Sequence, residues 1–198
     1  EVKNFDADAR FGRRDARRMD RFVQFAVSAS EEALKNAGLE IADENRDRVG
    51  AVIGTGIGGI NTLSCEANTL RDKGPKRVSP FMVPMMLPDT ASGQVAIVFG
   101  ARGPNLCITS ACASSTNALG EAAEIIRRGA ADVIISGGAE AAITPLTMAA
   151  FGNMGALSNR NNAPEAACRP FDRDRDGFVA GEGAAILILE SEAHALAR

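Results

Sequence analysis

The stretch from Asn105 to Gly129 constrains the fold most, because an apolar run, a cysteine and a helical pattern follow one another there directly. The apolar run over 106–109 predicts a short buried strand. Small and apolar residues then recur at helical spacing until Gly129, which predicts the end of the helix. The helical positions are Ala118, Leu119, Ala122, Ala123, Ile125 and Ile126. Cys112 is therefore expected at a strand-to-helix turn.

That position makes Cys112 a candidate nucleophile. A thiol at the start of a helix faces unpaired backbone N–H groups and the positive end of the helix dipole, and both favour the thiolate. The thiolate, rather than the thiol, is the nucleophilic form of cysteine. A cysteine is also a common small core residue, so simple packing stays open as the alternative interpretation.

A second motif precedes this unit and predicts a different chemistry. Gly54, Gly56 and Gly59 form G-x-G-x-x-G after an apolar strand pattern and before a helical one, with Asp72 about 20 residues on. This pattern is typical of dinucleotide-binding oxidoreductases, so an NADP-type domain is the alternative from another reaction class. Such a fingerprint normally opens the first strand–helix–strand unit, whereas here a complete amphipathic helix comes first.

The remaining patterns indicate an α/β fold. The apolar run over 131–142 predicts another strand after the cysteine helix, which implies a largely parallel sheet. Three prolines in the stretch over 79–89 predict an irregular apolar loop, and a helix is expected from Thr90 to Phe99. Acidic residues over 172–183 imitate a calcium loop, but its twelfth position is Gly183 where a bidentate glutamate is needed.

Composition excludes several classes of protein. A chain of 198 residues that is 45% hydrophobic is long enough for one substantial core and too short for three domains. The net charge of −3 argues against general binding to nucleic acid or a membrane surface. Four cysteines without a C-x-x-C pair, together with one histidine, His194, give no metal-site pattern and indicate reduced thiols. No run approaches 18 apolar residues.

Several blocks, in order, resemble the β-ketoacyl-acyl carrier protein synthases, the condensing enzymes of fatty-acid synthesis, and most closely their type II. These blocks are GAVIGTGIGG, SPFMVPMMLPD, TSACASSTNALGEA, ADVIISGGAEAAITPLTMAAFGNMGALS and RPFDRDRDGFVAGEGAAILILE. The resemblance implies an α/β, thiolase-like fold, with a mostly parallel mixed sheet and helices packed on both faces. It implies that residues 1–198 form the N-terminal half of such a synthase as one domain, without the first strand and the C-terminal half.

The resemblance also implies a mechanism and its residues. Cys112 would accept an acyl group from acyl carrier protein for decarboxylative Claisen condensation with malonyl-carrier protein, and its N–H would form half of the oxyanion hole. Ile57, Met82 and Phe151 would line the acyl pocket, with Phe151 as a mobile gate. The basic residues that would dock the acidic carrier are Arg14, Arg17 and Arg18. A cytoplasmic homodimer without cofactor or metal is implied.

The same resemblance implies that the synthase machinery is incomplete within this sequence. Two histidines, a lysine and a glycine-rich loop with the second oxyanion donor belong to the family's C-terminal half. His194 matches neither histidine and is expected at the surface, and the opening residue is Glu1 rather than methionine. We therefore expect a fragment that does not condense substrates by itself. A non-catalytic interaction subunit that resembles a condensing enzyme is disfavoured, because such subunits usually lack the nucleophile. A cysteine hydrolase would need a histidine partner for its thiol, and the sequence places none.

Overall fold

A four-stranded mixed sheet forms the centre of the protein, and the computed structural model describes residues 1–198. The strands are β1 (Val49–Gly54), β2 (Asn105–Ile108), β3 (Val133–Glu140) and β4 (Gly183–Glu190). Their order is β2-β1-β3-β4; β1 runs parallel to β2 and β3, whereas β4 is antiparallel to β3. β1 is buried along its whole length, which explains its nearly continuous apolar sequence. The predicted mostly parallel sheet is confirmed.

Helices pack on both faces of this sheet. They are α1 (Ala7–Phe11), α2 (Arg13–Ala16), α3 (Arg21–Ala37), α4 (Ile60–Lys73), α5 (Met82–Met86), α6 (Thr90–Phe99), α7 (Ser114–Arg127), α8 (Pro145–Asn153) and α9 (Glu192–Ala197). Ala51 and Ile53 of β1 join the core with α3 and α6, whereas Val52 between them packs on α7. This alternation follows the two-residue period of a strand. No helix combines the length and the apolar character needed to cross a membrane.

Helix α3 shows why its sequence pattern was informative. Its apolar stripe buries Phe22 and Val23 completely, and burial of such a side chain contributes about 1.5–3 kcal/mol. The helix ends at Gly38, which adopts the left-handed conformation with φ of 60° and donates its N–H to the Leu34 carbonyl. Glycine reaches that conformation without the steric penalty of a Cβ. The amphipathic helix expected before the glycine motif is thus α3.

The proline-rich stretch differs from its prediction. An irregular loop was expected over 79–89, but residues Met82–Met86 form the short helix α5. Pro84 is the third residue of that helix, so its missing N–H is one of the first-turn donors that has no partner inside a helix. A proline within the first turn is therefore compatible with one short helix. The number of prolines in the stretch does not indicate where in a turn each of them will lie.

The calcium-like segment is used for internal contacts. The Asp176 carboxylate accepts hydrogen bonds from the Ser158 hydroxyl at 2.7 Å and the Asn159 N–H at 3.1 Å. Glu182 binds Arg21, whose Nη2 lies 2.8 Å from its Oε1, and also accepts the Val2 N–H. Burial opposes ionisation of Glu182, but the Arg21 guanidinium holds its pKa below the ordinary value. The Glu182 contacts tie the segment to the N-terminus and the start of α3, whereas the Asp176 contacts tie it to the loop after α8.

Asp20 joins two helices at their N-terminal ends. Its side chain caps α3 by accepting the Phe22 N–H, and it accepts both the N–H of Thr62 in α4 at 2.9 Å and the Thr62 hydroxyl at 2.6 Å. The residue is only 2% exposed. One carboxylate thereby satisfies orphan donors of both helices and fixes the end of α4 beside α3.

Replacing Asp20 by alanine is expected to destabilise the protein. Loss of an N-cap costs about 1 kcal/mol, and buried donors left without a partner cost about 1–3 kcal/mol more. Chemical denaturation should show the free energy of unfolding falling by about 2–4 kcal/mol. Asp15→Ala, which removes an exposed carboxylate from the neighbouring helix, is the control. Equal unfolding free energies for the two variants would contradict this role of Asp20.

Candidate active site

Cys112 lies in a tight turn between β2 and α7, as the sequence predicted. The turn covers Ala111–Ala113 and leaves Cys112 exposed. Ala111 has φ of 52°, a left-handed conformation that a residue with a side chain adopts only when its surroundings hold it there. The Ser114 hydroxyl provides such support, because it accepts the Ser110 N–H at 2.9 Å and donates to the Ala111 carbonyl at 2.6 Å.

The start of α7 rests on the glycine ends of two parallel strands. A Cβ at Gly54 of β1 would lie 2.3 Å from the Ser114 carbonyl oxygen, and a Cβ at Gly138 of β3 would lie 2.7 Å from Cβ of Ser115. Both distances are far below van der Waals contact. Only glycine permits this approach, so the two glycines place the cysteine turn at the carboxyl ends of β1 and β3.

A cavity of about 530 Å³ opens beside the cysteine. Cys112, Ile57 and Phe151 all line it, so the structure brings three predicted site residues together. The Phe151 ring packs edge-on against Phe178, with 5.2 Å between the ring centroids. The cavity has the size of ordinary small-molecule sites, and most of its wall is apolar or formed by small residues. It therefore suits an alkyl group attached next to the sulfur.

Met82 is placed differently. It begins α5 and does not line the Cys112 cavity. Its assignment to the acyl pocket stays a prediction. Phe178, by contrast, was not singled out from the sequence although it forms part of the wall. The only local signal for it is one aromatic residue in a polar, glycine-rich segment.

A larger open cleft of about 1110 Å³ lies farther along the chain. It contains the exposed Cys168 thiol, but Arg169 there pairs with Asp172, and the wall comes from irregular segments rather than strand ends. Sites of α/β proteins form at the carboxyl ends of parallel strands. The Cys112 cavity meets that condition, whereas this cleft does not.

The glycine loop between β1 and α4 is saturated with internal hydrogen bonds. The N–H groups of Gly56 and Ile57 donate to Oε2 of Glu140 at 2.8 and 3.0 Å. The Gly58 N–H donates to the Thr55 hydroxyl, and the Gly59 N–H donates to the Met86 carbonyl.

A dinucleotide would need those same groups. In dinucleotide-binding domains the pyrophosphate accepts loop and helix N–H groups at the N-terminus of the helix. The corresponding position at α4 is occupied by the Asp20 carboxylate, which accepts the Thr62 N–H. The oxidoreductase alternative therefore loses its physical basis, and close backbone packing explains the glycines.

The predicted docking arginines form an exposed basic surface at α2 and just beyond it. Arg14, Arg17 and Arg18 are all exposed, and none of them forms an ion pair. The Arg18 guanidinium lies over the Phe81 ring, 4.7 Å from its centroid. Arg10 and Arg21 differ, since each pairs with a glutamate. The three predicted residues thus keep their charge available to a partner.

Two other titratable residues lie apart from this chemistry. His194 was expected at the surface but is half-buried in α9, where its Nδ1 lies 2.7 Å from Oε1 of Glu190. It does not line the Cys112 cavity. Cys107, on β2, is half-buried; burial raises the pKa of its thiol, although a contact with the Thr109 hydroxyl opposes this.

Comparisons with known proteins agree on one family. Residues 1–195 match the sequence profile described as "Beta-ketoacyl synthase, N-terminal domain". The whole chain is 54% identical to 3-oxoacyl-[acyl-carrier-protein] synthase 2 of Synechocystis sp. and covers 48% of that relative's length. The chain thus spans about half the length of the curated relatives it matches.

Solved structures show the same likeness. The fold superposes on a β-ketoacyl synthase from Burkholderia phymatum STM815 with a TM-score of 0.88 at 36% identity, covering all of this chain and 48% of that one. A second similar structure is described as a "type II PKS acyl-carrier protein in complex with its ketosynthase bound to the hexaketide", with a TM-score of 0.81 at 27% identity. The match covers all of this chain and 54% of that one. The predicted thiolase-like α/β fold is confirmed.

Cys112 is expected to be the fastest of the four thiols to react with iodoacetamide in the folded protein. It is exposed in a cavity at the N-terminal end of α7, and the positive end of a helix dipole generally favours nucleophilic attack by a cysteine. Cys107 should react last because burial raises its pKa. Peptide mapping by mass spectrometry after brief labelling gives the order. Cys65 and Cys168 are the exposed controls, and faster labelling of either would contradict the prediction.

Proposed function

The chain belongs to the β-ketoacyl synthase family, whose N-terminal domain it matches over residues 1–195, and we propose that it carries the acyl-accepting nucleophile of a fatty-acid condensing enzyme. The observation that supports this most is the exposed Cys112 thiol at a strand-to-helix turn, opening directly on an apolar cavity. A thiol there can hold an acyl group covalently while the cavity receives the alkyl chain. No separate acyl-binding surface is then needed.

The first half-reaction is acyl transfer to the enzyme. The Cys112 thiolate attacks the thioester carbonyl of an acyl carrier protein, the tetrahedral intermediate collapses, and the carrier thiolate leaves and takes up a proton. The oxyanion of that intermediate needs N–H donors. The backbone N–H of Cys112 takes part in none of the turn and loop hydrogen bonds, which supports its assignment as one such donor.

The second half-reaction joins two carbon chains. Decarboxylation of a malonyl-carrier thioester leaves an enolate, whose carbon attacks the Cys112 thioester and releases the thiolate. The enolate requires additional donors. The only histidine of this chain, His194, is engaged with Glu190 in α9 and lies outside the cavity. We assign acyl loading to the residues of this chain and enolate stabilisation to groups outside it.

The proposed partners follow from two surfaces. The exposed arginines Arg14, Arg17 and Arg18 suit an acidic acyl carrier protein, in its acyl and malonyl forms. Large apolar side chains, among them Ile97 of α6 and Leu106 of β2, are exposed beside the edge of the sheet, which supports a homodimer. Four free cysteines support action in the reducing cytoplasm.

Acyl loading tests the proposal. Incubation with acyl carrier proteins should add one acyl mass to the peptide that contains Cys112, and Cys112→Ala should abolish the addition because no nucleophile remains. Cys168→Ala, which removes an exposed thiol elsewhere, should leave it unchanged. Intact-protein and peptide mass spectrometry measure both. Loading that survives in Cys112→Ala would overturn the assignment.

Condensation by residues 1–198 alone is expected to be undetectable. We assign one oxyanion donor and the enolate donors to groups outside these residues, and loss of one oxyanion donor alone typically costs about 10²–10³ in rate. Radiolabelled malonyl turnover measures this directly, with a full-length synthase as the positive control. Turnover at the rate of that control would mean that this chain holds a complete site.

Reversal of the charge at Arg17 and Arg18 is expected to weaken binding of the carrier. At low salt the association rate constant should fall about tenfold or more, since steering by complementary charge commonly supplies 10–10³. The matched control is the double variant Lys35→Glu with Arg102→Glu. Both residues are exposed cations without ion pairs; Lys35 lies in the last turn of α3, and Arg102 lies just before β2. Binding kinetics across a salt series separate the two. Equal salt slopes for both double variants would contradict a docking role.

A further inference from the structure

Glu140 is the residue at the Cys112 cavity whose purpose the acyl-transfer chemistry leaves open. It is the last residue of β3, and it lines the cavity. Its Oε2 accepts the N–H groups of Gly56 and Ile57 at 2.8 and 3.0 Å, and its Oε1 accepts the Thr55 hydroxyl at 3.1 Å. No lysine or arginine pairs with it. The carboxylate is therefore balanced entirely by donors of one loop.

Glu140 anchors the first half of that loop, from Thr55 to Ile57, whereas the end of the loop is anchored separately by the bond from the Gly59 N–H to the Met86 carbonyl. Three glycines lie between β1 and α4, and glycine has more backbone freedom than any other residue. Glu140 fixes Thr55, Gly56 and Ile57 directly. It fixes Gly58 indirectly, because the Thr55 hydroxyl that donates to Glu140 also accepts the Gly58 N–H at 3.2 Å.

The same carboxylate sets the spacing between the loop and the nucleophile turn. A Cβ at Gly56 would lie 3.0 Å from Oε2 of Glu140 and 3.3 Å from the carbonyl oxygen of Ala111, the residue before Cys112. Gly56 is thus held between the two groups. Ile57 follows immediately, and its own N–H is bound to Glu140 while it forms part of the cavity wall. The position of this wall relative to the sulfur consequently depends on Glu140.

We propose that Glu140 is a positioning residue which holds Ile57 in the wall of the Cys112 cavity and thereby limits the length of the acyl chain that the cysteine accepts. This inference rests on the proposed acyl-transfer function. Glu140 does not touch the reacting atoms in this role; it acts through the backbone of the loop.

The test is the acyl chain-length profile of Cys112 in the full-length protein. Carriers that bear acyl groups of increasing length are supplied, and mass spectrometry measures the loading rate for each. In Glu140→Ala the released loop should admit longer chains. The ratio of long-chain to short-chain loading should rise by about tenfold, a discrimination that one methylene can carry in an apolar pocket.

A conservative variant distinguishes positioning from general stability. In Glu140→Gln the amide oxygen can still accept the Gly56 and Ile57 N–H groups, and the amide nitrogen can donate to the Thr55 hydroxyl. This variant should therefore keep the wild-type chain-length profile. Ile57→Phe enlarges the wall and should shift the profile toward shorter chains. Glu165→Ala, which removes an exposed carboxylate without hydrogen bonds, should change nothing.

The outcomes separate this inference from the proposed function. Failure of the wild-type protein to load any acyl group refutes both. A wild-type length limit that persists in a folded Glu140→Ala variant refutes the role of Glu140 and leaves acyl transfer standing. If Glu140→Ala does not fold, Glu140→Asp replaces it: the shorter carboxylate no longer reaches the Gly56 and Ile57 N–H groups in their present positions, so this variant should also lengthen the profile. An unchanged profile in a folded Glu140→Asp variant also overturns the inference.

Discussion

The close approach of α7 to the glycine ends of β1 and β3 is the constraint on which the rest of the site depends. Gly54 meets the Ser114 carbonyl and Gly138 meets Ser115 at distances that exclude any Cβ. The helix can begin there only because neither strand carries a side chain at that point. The preceding turn then has to be tight, which accounts for the left-handed Ala111 and for the exposed Cys112 next to it. Backbone packing, rather than side-chain flexibility, sets where the sulfur lies.

The surroundings of the cysteine follow from the same sheet. Parallel strands end at one edge, so the loop after β1 and the end of β3 meet beside the cysteine turn. The N–H groups of the loop donate hydrogen bonds to Glu140, Thr55 and Met86. The loop is therefore a fixed wall, and it has no donors free for a phosphate. A glycine pattern shared with nucleotide-binding proteins therefore serves a different purpose. Its glycines permit close packing on neighbouring backbone.

Local patterns predicted most of the fold and the position of the nucleophile. Apolar periodicity and terminal glycines located α3, α6 and α7 and the strand before Cys112, because each depends on neighbours along the chain. Contacts between distant residues were beyond such patterns. Asp20 and Thr62 are 42 residues apart, and nothing near either one indicates the other. Phe178 reaches Phe151 through an irregular segment, so its place in the cavity wall depends on tertiary packing.

Gly138 and Glu140 are two residues apart on β3 and therefore lie on the same face of that strand. One supports the helix that carries the sulfur, and the other holds the loop that forms the wall. The start of the helix also rests on Gly54 of β1, the pairing partner of Gly138, so the sulfur and the wall both take their positions from this pair of strands. A shift of these strands would carry the cysteine turn and the loop in the same direction, so the distance between sulfur and wall would change less than the position of either one. The spacing between the sulfur and the wall is therefore set by the sheet rather than by the surrounding loops.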